Sequence, residues 1–269
     1  MVLHGTDTLS YTASALSFML EALGKIVILT GSQLPIFDTR SDGLDNFLSS
    51  LVIAANYNIP EVCIFFGTKL MRGNRTTKSS VADFEAFHSP NVSPIANAGI
   101  KIESTLFYFN KIFLNIFLYF YFTVDYKSIF RSCSIEKFHV HTILNRNVGS
   151  LRLFPSITTD LIRAFLQPPI EGVVLQSYGA GNIPGNRKDI IEEFKKATNR
   201  GVIIVNITQC AKGSVNNLYE TGHLLLEAGE QINFLRHILV IFSNYQSIIV
   251  YKFPCNFLCM SNNWIGYDT

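Results

Sequence analysis

This sequence of 269 residues has few of the features that would indicate a particular function. Charged residues make up only 16% of it and the net charge is +2, which argues against a strong field for nucleic acid or an anionic membrane. The start, Met1 to Gly5, holds neither a basic nor an apolar stretch, so we read no signal peptide there. No Gly-rich phosphate-binding motif and no internal repeat occurs. We therefore predict a protein that binds neither nucleic acid nor membrane.

The five cysteines also lack a pattern that would indicate disulfides or a zinc site. Cys255 and Cys259 lie close together, but no second pair and no histidine cluster accompanies them. Unpatterned, reduced thiols are typical of proteins in a reducing compartment. The sequence therefore predicts a cytoplasmic protein.

Apolar residues, at 48%, are numerous enough for a sizeable core. In residues 1–103, one helical stripe comprises Leu16, Met19, Leu20 and Leu23, with Gly24 placed for a left-handed C-terminal cap. A second stripe comprises Leu44, Phe47, Leu48, Leu51 and Ala55. Apolar strands follow each helix, at 25–30 and 62–66, and residues 138–229 repeat the alternation with strands at 172–177 and 202–207 and a helix at 189–198. This rhythm predicts an α/β fold with parallel strands covered on both faces.

Two further stretches, 104–137 and 230–269, are rich in Ile, Phe, Tyr and Asn and have no clean period. The first approaches the length that spans a bilayer, but Lys111, Asn110 and Asn115 interrupt it and no flanking topology signal is present. A core segment or an inserted non-native sequence are the other interpretations. Because both stretches share the same bias, we hypothesise that they derive from non-coding sequence.

The segment His4-Gly5-Thr6-Asp7-Thr8 combines groups that could act on a carbonyl compound. A threonine hydroxyl can attack or polarise a carbonyl if a neighbouring base activates it, and a desolvated lysine can be such a base. An adjacent carboxylate can hold a substrate ammonium. The bland alternative is a turn followed by a helix N-cap, since Thr and Asp both cap helices.

The order of motifs along the chain resembles the type I L-asparaginases, the cytosolic bacterial-type family. The resemblance spans both α/β stretches, and its motifs are His4 to Glu21, Val27 to Gln33, Arg40 to Gly43, Arg72-Gly73-Asn74-Arg75-Thr76-Thr77-Lys78, Phe84 to Asn91, Asn145 to Gly149, Leu151 to Pro155, Ser177 to Asn182 and Asn206 to Cys210.

The resemblance implies a two-domain asparaginase-like α/β fold that hydrolyses L-asparagine to aspartate and ammonia without a metal or other cofactor. It makes Thr6 the second active-site threonine, Asp7 the group that grips the substrate α-amino group, and Lys78 the active-site lysine. We expect these three to meet at the carboxyl edge of a single sheet. Asn182 matches a position that reaches the substrate across an intimate dimer, although a loop Asn tolerating positive φ is an equal alternative. A homodimer or homotetramer is implied.

The sequence departs from the family in ways that define a four-part division: a truncated N-terminal domain (1–103), an atypical segment (104–137), a smaller C-terminal domain (138–229) and an atypical tail (230–269). The family's Thr-Gly-Gly-Thr loop, which carries the primary nucleophile, precedes the His4–Thr8 segment, so we expect it to be absent here. The alternative function is therefore a catalytically inactive asparaginase-like fragment that acts only by binding or oligomerisation.

Overall fold

The structure, a computed structural model, describes residues 1–99, 121–131, 137–215, 238–243 and 247–252. The chain divides into two compact units, Met1–His141 and Thr142–Thr269. The described helices are α1 (Leu9–Met19), α2 (Gly43–Asn56), α3 (Thr159–Phe165) and α4 (Lys188–Asn199). The described strands are β1 (Val2–Leu3), β2 (Leu20–Glu21), β3 (Val27–Thr30), β4 (Val62–Phe66), β5 (Lys69–Arg72), β6 (Thr77–Lys78), β7 (Phe87–His88), β8 (Ala96–Gly99), β9 (Tyr121–Val124), β10 (His139–Val140), β11 (Val148–Arg152), β12 (Gly172–Ser177), β13 (Ile203–Thr208), β14 (Ile238–Ser243) and β15 (Ser247–Lys252).

A six-stranded sheet with the order β1-β3-β4-β5-β8-β9 organises the first unit. The strands β1, β3 and β4 are parallel, and β5, β8 and β9 extend the sheet in antiparallel pairs. Every residue of β4 is buried, as expected for an apolar central strand with both faces covered. The predicted α/β class is confirmed, and the antiparallel extension is a feature that the sequence did not indicate.

The first predicted helix ends earlier than its apolar stripe suggested. Helix α1 stops at Met19, and the next two residues form β2, which pairs antiparallel with β10. The left-handed residue after the helix is Ala22, with φ 52°, and not Gly24, so the predicted glycine cap is wrong. Pairing with β10 competes with continuation of the helix, and β10 lies more than a hundred residues away in the sequence. No local pattern could therefore reveal where α1 ends.

The second predicted helix is present as α2, but it turns its leucines outward. Leu44, Leu48 and Leu51 are exposed, while Ser49, Ser50 and Ile53 face the core. Asn46 sets this orientation because its amide donates to the Gly31 carbonyl at 2.9 Å and its oxygen accepts from the Gly67 N–H at 3.0 Å. Two partly buried backbone groups thereby gain hydrogen-bond partners, which favours this orientation of the helix.

The second unit contains the parallel sheet β11-β12-β13 with α3 and α4. The predicted strands and helix are found at 172–177, 203–208 and 188–199. The core holds Leu175, Ile190 and Phe194 at 0% exposure. At the carboxyl ends of the strands, the Gln209 side-chain amide donates to the carbonyls of Leu153 and Gln176, at 2.6 and 2.8 Å.

Parts of the two atypical stretches lie among the described residues. Strand β9 joins the first sheet at its edge and pairs with β8, and Ile129 is 8% exposed within the core. The strands β14 and β15 form an antiparallel hairpin. Among the described residues no helix is long and apolar enough to cross a membrane. Residues 100–120, 132–136, 216–237, 244–246 and 253–269 lie outside the described residues. The four-part division of the sequence therefore stays a prediction.

Candidate active site

The structure brings together three of the four side chains that the sequence selected. The Lys78 ammonium donates to the Thr6 hydroxyl at 2.9 Å and to a carboxylate oxygen of Asp7 at 2.7 Å. Lys78 is separated from its two partners by 72 and 71 residues of sequence. A single amine therefore links the hydroxyl and the acid of the His4–Thr8 segment.

Two different sheets supply the three residues. Thr6 and Asp7 lie in the loop between the end of β1 and the start of α1, whereas Lys78 lies on β6, which pairs with β7 outside the six-stranded sheet. Lys78 thus lies on a separate pair of strands, but its amine meets the Thr6 hydroxyl and the Asp7 carboxylate just after the carboxyl end of β1, as expected. The loop itself follows a parallel strand, where ligands commonly bind in α/β folds.

The loop before α1 is not used as an ordinary helix cap. Thr8 is the N-cap residue of α1, but its side chain makes no capping hydrogen bond. The two residues before it, Thr6 and Asp7, direct their oxygen atoms to Lys78 instead. The bland interpretation of this segment as a turn with a capping side chain is therefore not supported.

The acid and the amine of this site differ sharply in exposure. The Asp7 side chain is 92% exposed, whereas that of Lys78 is 13% exposed. The hydrogen bond from Lys78, and then its positive charge, lower the pKa of the Asp7 carboxyl below its ordinary value. Asp7 is therefore a carboxylate at neutral pH, open to a solute on its outer side and held by Lys78 on its inner side.

This arrangement can perform two chemical tasks. An amine next to a hydroxyl can move that hydroxyl's proton whenever the amine is neutral, which is how weak oxygen nucleophiles are activated. An exposed carboxylate can accept charge-assisted hydrogen bonds from a cationic group. The geometry suits a small molecule that carries a carbonyl group and an ammonium group.

The fourth predicted residue, Asn182, belongs to the second unit. It closes a tight turn, in which its backbone N–H donates to the Tyr178 carbonyl at 2.8 Å and its carbonyl accepts from Tyr178 at 3.0 Å. The turn requires Gly181, whose φ is 113° and whose Cβ position lies 2.5 Å from Val215. Asn206 also holds the turn by donating to the Gly181 carbonyl at 3.1 Å.

Sequence reasoning missed a buried ion pair in the first unit. The Arg72 guanidinium donates to both carboxylate oxygens of Glu61, at 2.5 and 3.1 Å, and both side chains are 6% exposed. The guanidinium carbon of Arg72 lies over the Phe130 ring, 4.1 Å from the ring centroid. Arg72 also donates a hydrogen bond to the Ser128 carbonyl at 2.6 Å. Neither the pairing of Arg72 with Glu61 nor its contact with Phe130 has a local signal in the sequence.

His4 was also missed, although it lies inside the best motif. Its ring contacts the Gly5 carbonyl and the Thr12 hydroxyl, at 2.8 and 2.9 Å. The i, i+8 separation of His4 and Thr12 matches no regular period, so no pattern singled out this pair. In the part of the chain that the structure describes, no group of three or more His, Cys, Asp or Glu side chains could hold a metal ion.

Comparisons with known proteins agree on one family for both units. The family description "Asparaginase, N-terminal" matches residues 1–109, and "Glutaminase/Asparaginase C-terminal domain" matches residues 147–231. The chain is similar to a Dirofilaria immitis L-asparaginase, 50% identical over 85% of this chain and 35% of that protein. It is also similar to a Mus musculus 60 kDa lysophospholipase, 42% identical over 85% of this chain and 37% of that protein.

A solved structure extends the likeness to the fold. The crystal structure of L-asparaginase I from Vibrio cholerae matches with a TM-score of 0.71 and 41% identity, over 85% of this chain and 62% of that one. The chain thus spans about a third of the length of the two relatives and less than two thirds of the solved chain.

Proposed function

The chain belongs to the asparaginase family, and on that premise we propose that it hydrolyses L-asparagine to L-aspartate and ammonia through a threonine hydroxyl. The observation that carries this proposal is the contact of Lys78 with both Thr6 and Asp7. The likeness to proteins named L-asparaginase supports the choice of substrate.

In this proposal Thr6, and not a threonine of the Thr-Gly-Gly-Thr loop, attacks the substrate, and Lys78 moves the protons. When its amine is neutral, the Thr6 hydroxyl donates to Nζ, reversing the hydrogen bond described above, and its oxygen becomes more nucleophilic. Attack on the side-chain carbonyl of asparagine forms a C–O bond. The C–N bond then breaks, and the leaving amide nitrogen takes a proton from Lys78 to depart as ammonia. Water hydrolyses the resulting ester and releases aspartate.

Asp7 selects the substrate by its charge. Its carboxylate is 92% exposed, and Lys78 lowers its pKa further below the range in which it would be protonated at neutral pH. We propose that the α-ammonium group of asparagine binds to this outer side. The arrangement favours a free amino acid over an amide without an ammonium group, because a cation gains a charge-assisted hydrogen bond here.

Ammonia release from L-asparagine tests the proposal directly. We expect Lys78→Met to lower kcat by about 10²–10⁴-fold, the range typical of a lost general acid–base. Lys69→Met is the matched control, since Lys69 pairs with Glu85 on the surface of β5 and should leave turnover unchanged. Equal turnover in wild type and Lys78→Met would overturn the role of Lys78.

The same experiment separates catalysis from binding alone. If the wild-type chain binds L-aspartate in calorimetry but releases no ammonia, the chain is the inactive binding protein and the hydrolase proposal is wrong. If Asp7→Asn weakens L-aspartate binding while turnover of bound substrate persists, Asp7 is confined to recognition. Absence of both binding and turnover would overturn the site as a whole.

A second candidate function rests on the similarity to a protein named 60 kDa lysophospholipase. The same hydroxyl and amine could cleave an acyl ester, since ester and amide hydrolysis share the acyl-transfer step. Fatty acid released from lysophosphatidylcholine measures it. Release that survives Lys78→Met would show that any such activity does not use this site.

We further propose that the chain works as a homodimer or homotetramer in the cytoplasm. The exposed leucines of α2 (Leu44, Leu48 and Leu51) support self-association, because an apolar helix face is stabilised by a partner. Asn182 would then act on the substrate of a neighbouring subunit. Sedimentation at several concentrations tests assembly, and Leu48→Glu should shift the particle toward the monomer.

A further inference from the structure

The loop that carries Thr6 and Asp7 contains a point of weakness at Gly5. A Cβ built on Gly5 would meet no atom within 4 Å, so no neighbouring side chain packs against this position. A glycine without packing retains many backbone conformations. Something else must hold the loop if the two residues that follow are to stay within hydrogen-bond distance of Lys78.

Backbone contacts fix the two ends of this loop but leave its middle free. The His4 N–H donates to the Thr30 carbonyl at 2.9 Å, which anchors the entrance. The Thr12 N–H donates to the Thr8 carbonyl at 3.0 Å, which anchors the exit into α1. Neither of these bonds involves Gly5, Thr6 or Asp7.

The His4 ring spans the gap between these two anchors. Its Nδ1 lies 2.8 Å from the Gly5 carbonyl, and its Nε2 lies 2.9 Å from the Thr12 hydroxyl. A carbonyl oxygen can only accept, so Nδ1 carries the proton in this contact. In the neutral ring Nε2 then accepts from the Thr12 hydroxyl, and both nitrogens are used.

We infer that His4 is a positioning residue of this site: its ring ties the Gly5 carbonyl to Thr12 of α1 and so holds Thr6 and Asp7 where both reach Lys78. The ring acts through the loop, and no hydrogen bond joins it to Thr6, Asp7 or Lys78 among the described contacts. A positioning role for catalysis rests on the proposed function, whereas the effect on the loop can be measured without turnover.

The carbonyl of His4 lies close to the backbone at Gly31. A Cβ at Gly31 would collide with the His4 carbonyl oxygen, so a glycine must follow β3 for the residue after β1 to lie this close. His4 is therefore held by hydrogen bonds at its N–H and its ring, and its carbonyl lies close to Gly31. This density of contacts at one residue is what a rigid entry to a site requires.

Substitution at Thr12 tests the inference with little change in shape. Thr12→Val removes the hydroxyl and keeps the branched side chain, whereas Thr12→Ser keeps the hydroxyl and serves as rescue. Tyr11→Phe is the control on the neighbouring residue of α1, half turned to solvent with 38% exposure. His4→Gln is a second route that abolishes the contact with the Gly5 carbonyl.

The first readout is the ionisation of Asp7, followed by NMR of ¹³C-labelled carboxyl groups and assigned with Asp7→Asn. In the wild type the Asp7 pKa should lie below its ordinary value, as the contact with Lys78 requires. We expect Thr12→Val and His4→Gln to raise it toward the ordinary value of about 3.9. Thr12→Ser and Tyr11→Phe should leave it as in the wild type.

The second readout is kinetic and applies if ammonia is released. Thr12→Val should lower kcat by up to about 10²-fold, since displacement of a reacting group by about 1 Å can cost that much. Its KM should change less, and Thr12→Ser should recover most of kcat. The ¹⁵N shifts of the His4 ring should report a proton on Nδ1 in the wild type and exchange between tautomers in Thr12→Val.

The outcomes distinguish this inference from the proposed function. A wild-type Asp7 pKa at its ordinary value would overturn the site itself. A low wild-type pKa that stays low in Thr12→Val and His4→Gln, both shown to be folded by circular dichroism, would overturn the role of His4 alone. A wild type that shows the pKa response but releases no ammonia would retain the role of His4 in the loop and reject the hydrolase proposal.

Discussion

Two of the contacts between a cation and a carboxylate in the first unit have opposite surroundings. The Lys78–Asp7 contact is 2.7 Å long, with side chains 13% and 92% exposed. The Arg72–Glu61 contact is 2.5 Å long, with both side chains 6% exposed. The chemistry of the two pairs is similar, but only one of them faces solvent on its acidic side.

The difference separates a pair that supports the fold from a pair that is available for chemistry. Glu61 and Arg72 direct their polar atoms into the protein, since Glu61 also accepts from the Phe130 N–H at 2.7 Å and Arg72 also donates to Ser128. Asp7 has no such second restraint among the described contacts and presents its outer oxygen to water. Burial, more than distance, decides what a charged pair contributes.

The largest expected effect comes from breaking the buried pair. Arg72→Met leaves the Glu61 carboxylate buried and without its partner, so we expect a loss of about 3–5 kcal/mol in the free energy of unfolding. Urea denaturation measures it. Lys69→Met, on the same strand, breaks the exposed Lys69–Glu85 pair and should cost no more than about 1 kcal/mol. Equal losses in the two variants would remove the contrast between buried and exposed pairs.

A smaller loss in the free energy of unfolding is expected when the packing of Gly31 against His4 is disturbed, because His4 begins the loop that carries Asp7. Gly31→Ala forces a methyl group against the His4 carbonyl, and overpacking of this kind costs about 1–3 kcal/mol. The same change should raise the Asp7 pKa by moving its loop. Gly24→Ala is the control, because a Cβ there meets no atom within 4 Å. If Gly31→Ala destabilises the chain without affecting Asp7, the loop is less rigid than its contacts indicate.

Two buried serines show how a satisfied polar group differs from an unsatisfied one. Ser14 is fully buried and its hydroxyl has no hydrogen-bond partner among the described residues, whereas the equally buried Ser50 donates to the Asn46 carbonyl at 2.7 Å. Ser14→Ala should therefore be neutral or stabilising by up to about 1 kcal/mol. Ser50→Ala should be destabilising by about 1 kcal/mol. Thermal unfolding of both variants checks the opposite signs.

The smallest expected effect is on the stability of the fold at acidic pH. The folded pKa of Asp7 is depressed by Lys78, so this contact stabilises the fold above the unfolded pKa of aspartate, near 3.9, and is lost as pH falls through the folded pKa. The unfolding midpoint of the wild type should decrease as the pH falls through this acidic range. In Lys78→Met this decrease should be only slightly smaller, because water screens the exposed carboxylate. A large change there would mean that Asp7 is more enclosed than its exposure indicates.

Much of the fold could be predicted from local patterns. The helices α2 and α4 and the strands β4, β12 and β13 appear close to their predicted positions because apolar period and length define them. The outward face of α2 could not be predicted, since it depends on the amide of Asn46 bridging two loops. The pairing of β2 with β10 was equally hidden, because it competes with helix propensity from a distant part of the chain.

The residues of the candidate site could be predicted from the sequence, but the elements that position them were harder to predict. Motif order singled out Thr6, Asp7 and Lys78, and the structure places them in contact. It did not reveal that Lys78 comes from a separate two-stranded sheet. Glu61, Arg72 and Phe130 meet across long sequence separations, and Phe130 lies in a stretch whose aromatic composition obscured its packing.

One side-chain amide in the second unit has a consequence for the strand ends. Gln209 follows β13, yet its two N–H groups reach the carbonyls of Leu153, just after β11, and Gln176, on β12. Gln209 thus links all three strands at their carboxyl ends. In parallel sheets this is where a ligand-binding crevice usually forms. Both carbonyls already accept a hydrogen bond from Gln209, so fewer backbone acceptors remain for a solute at this end of the sheet.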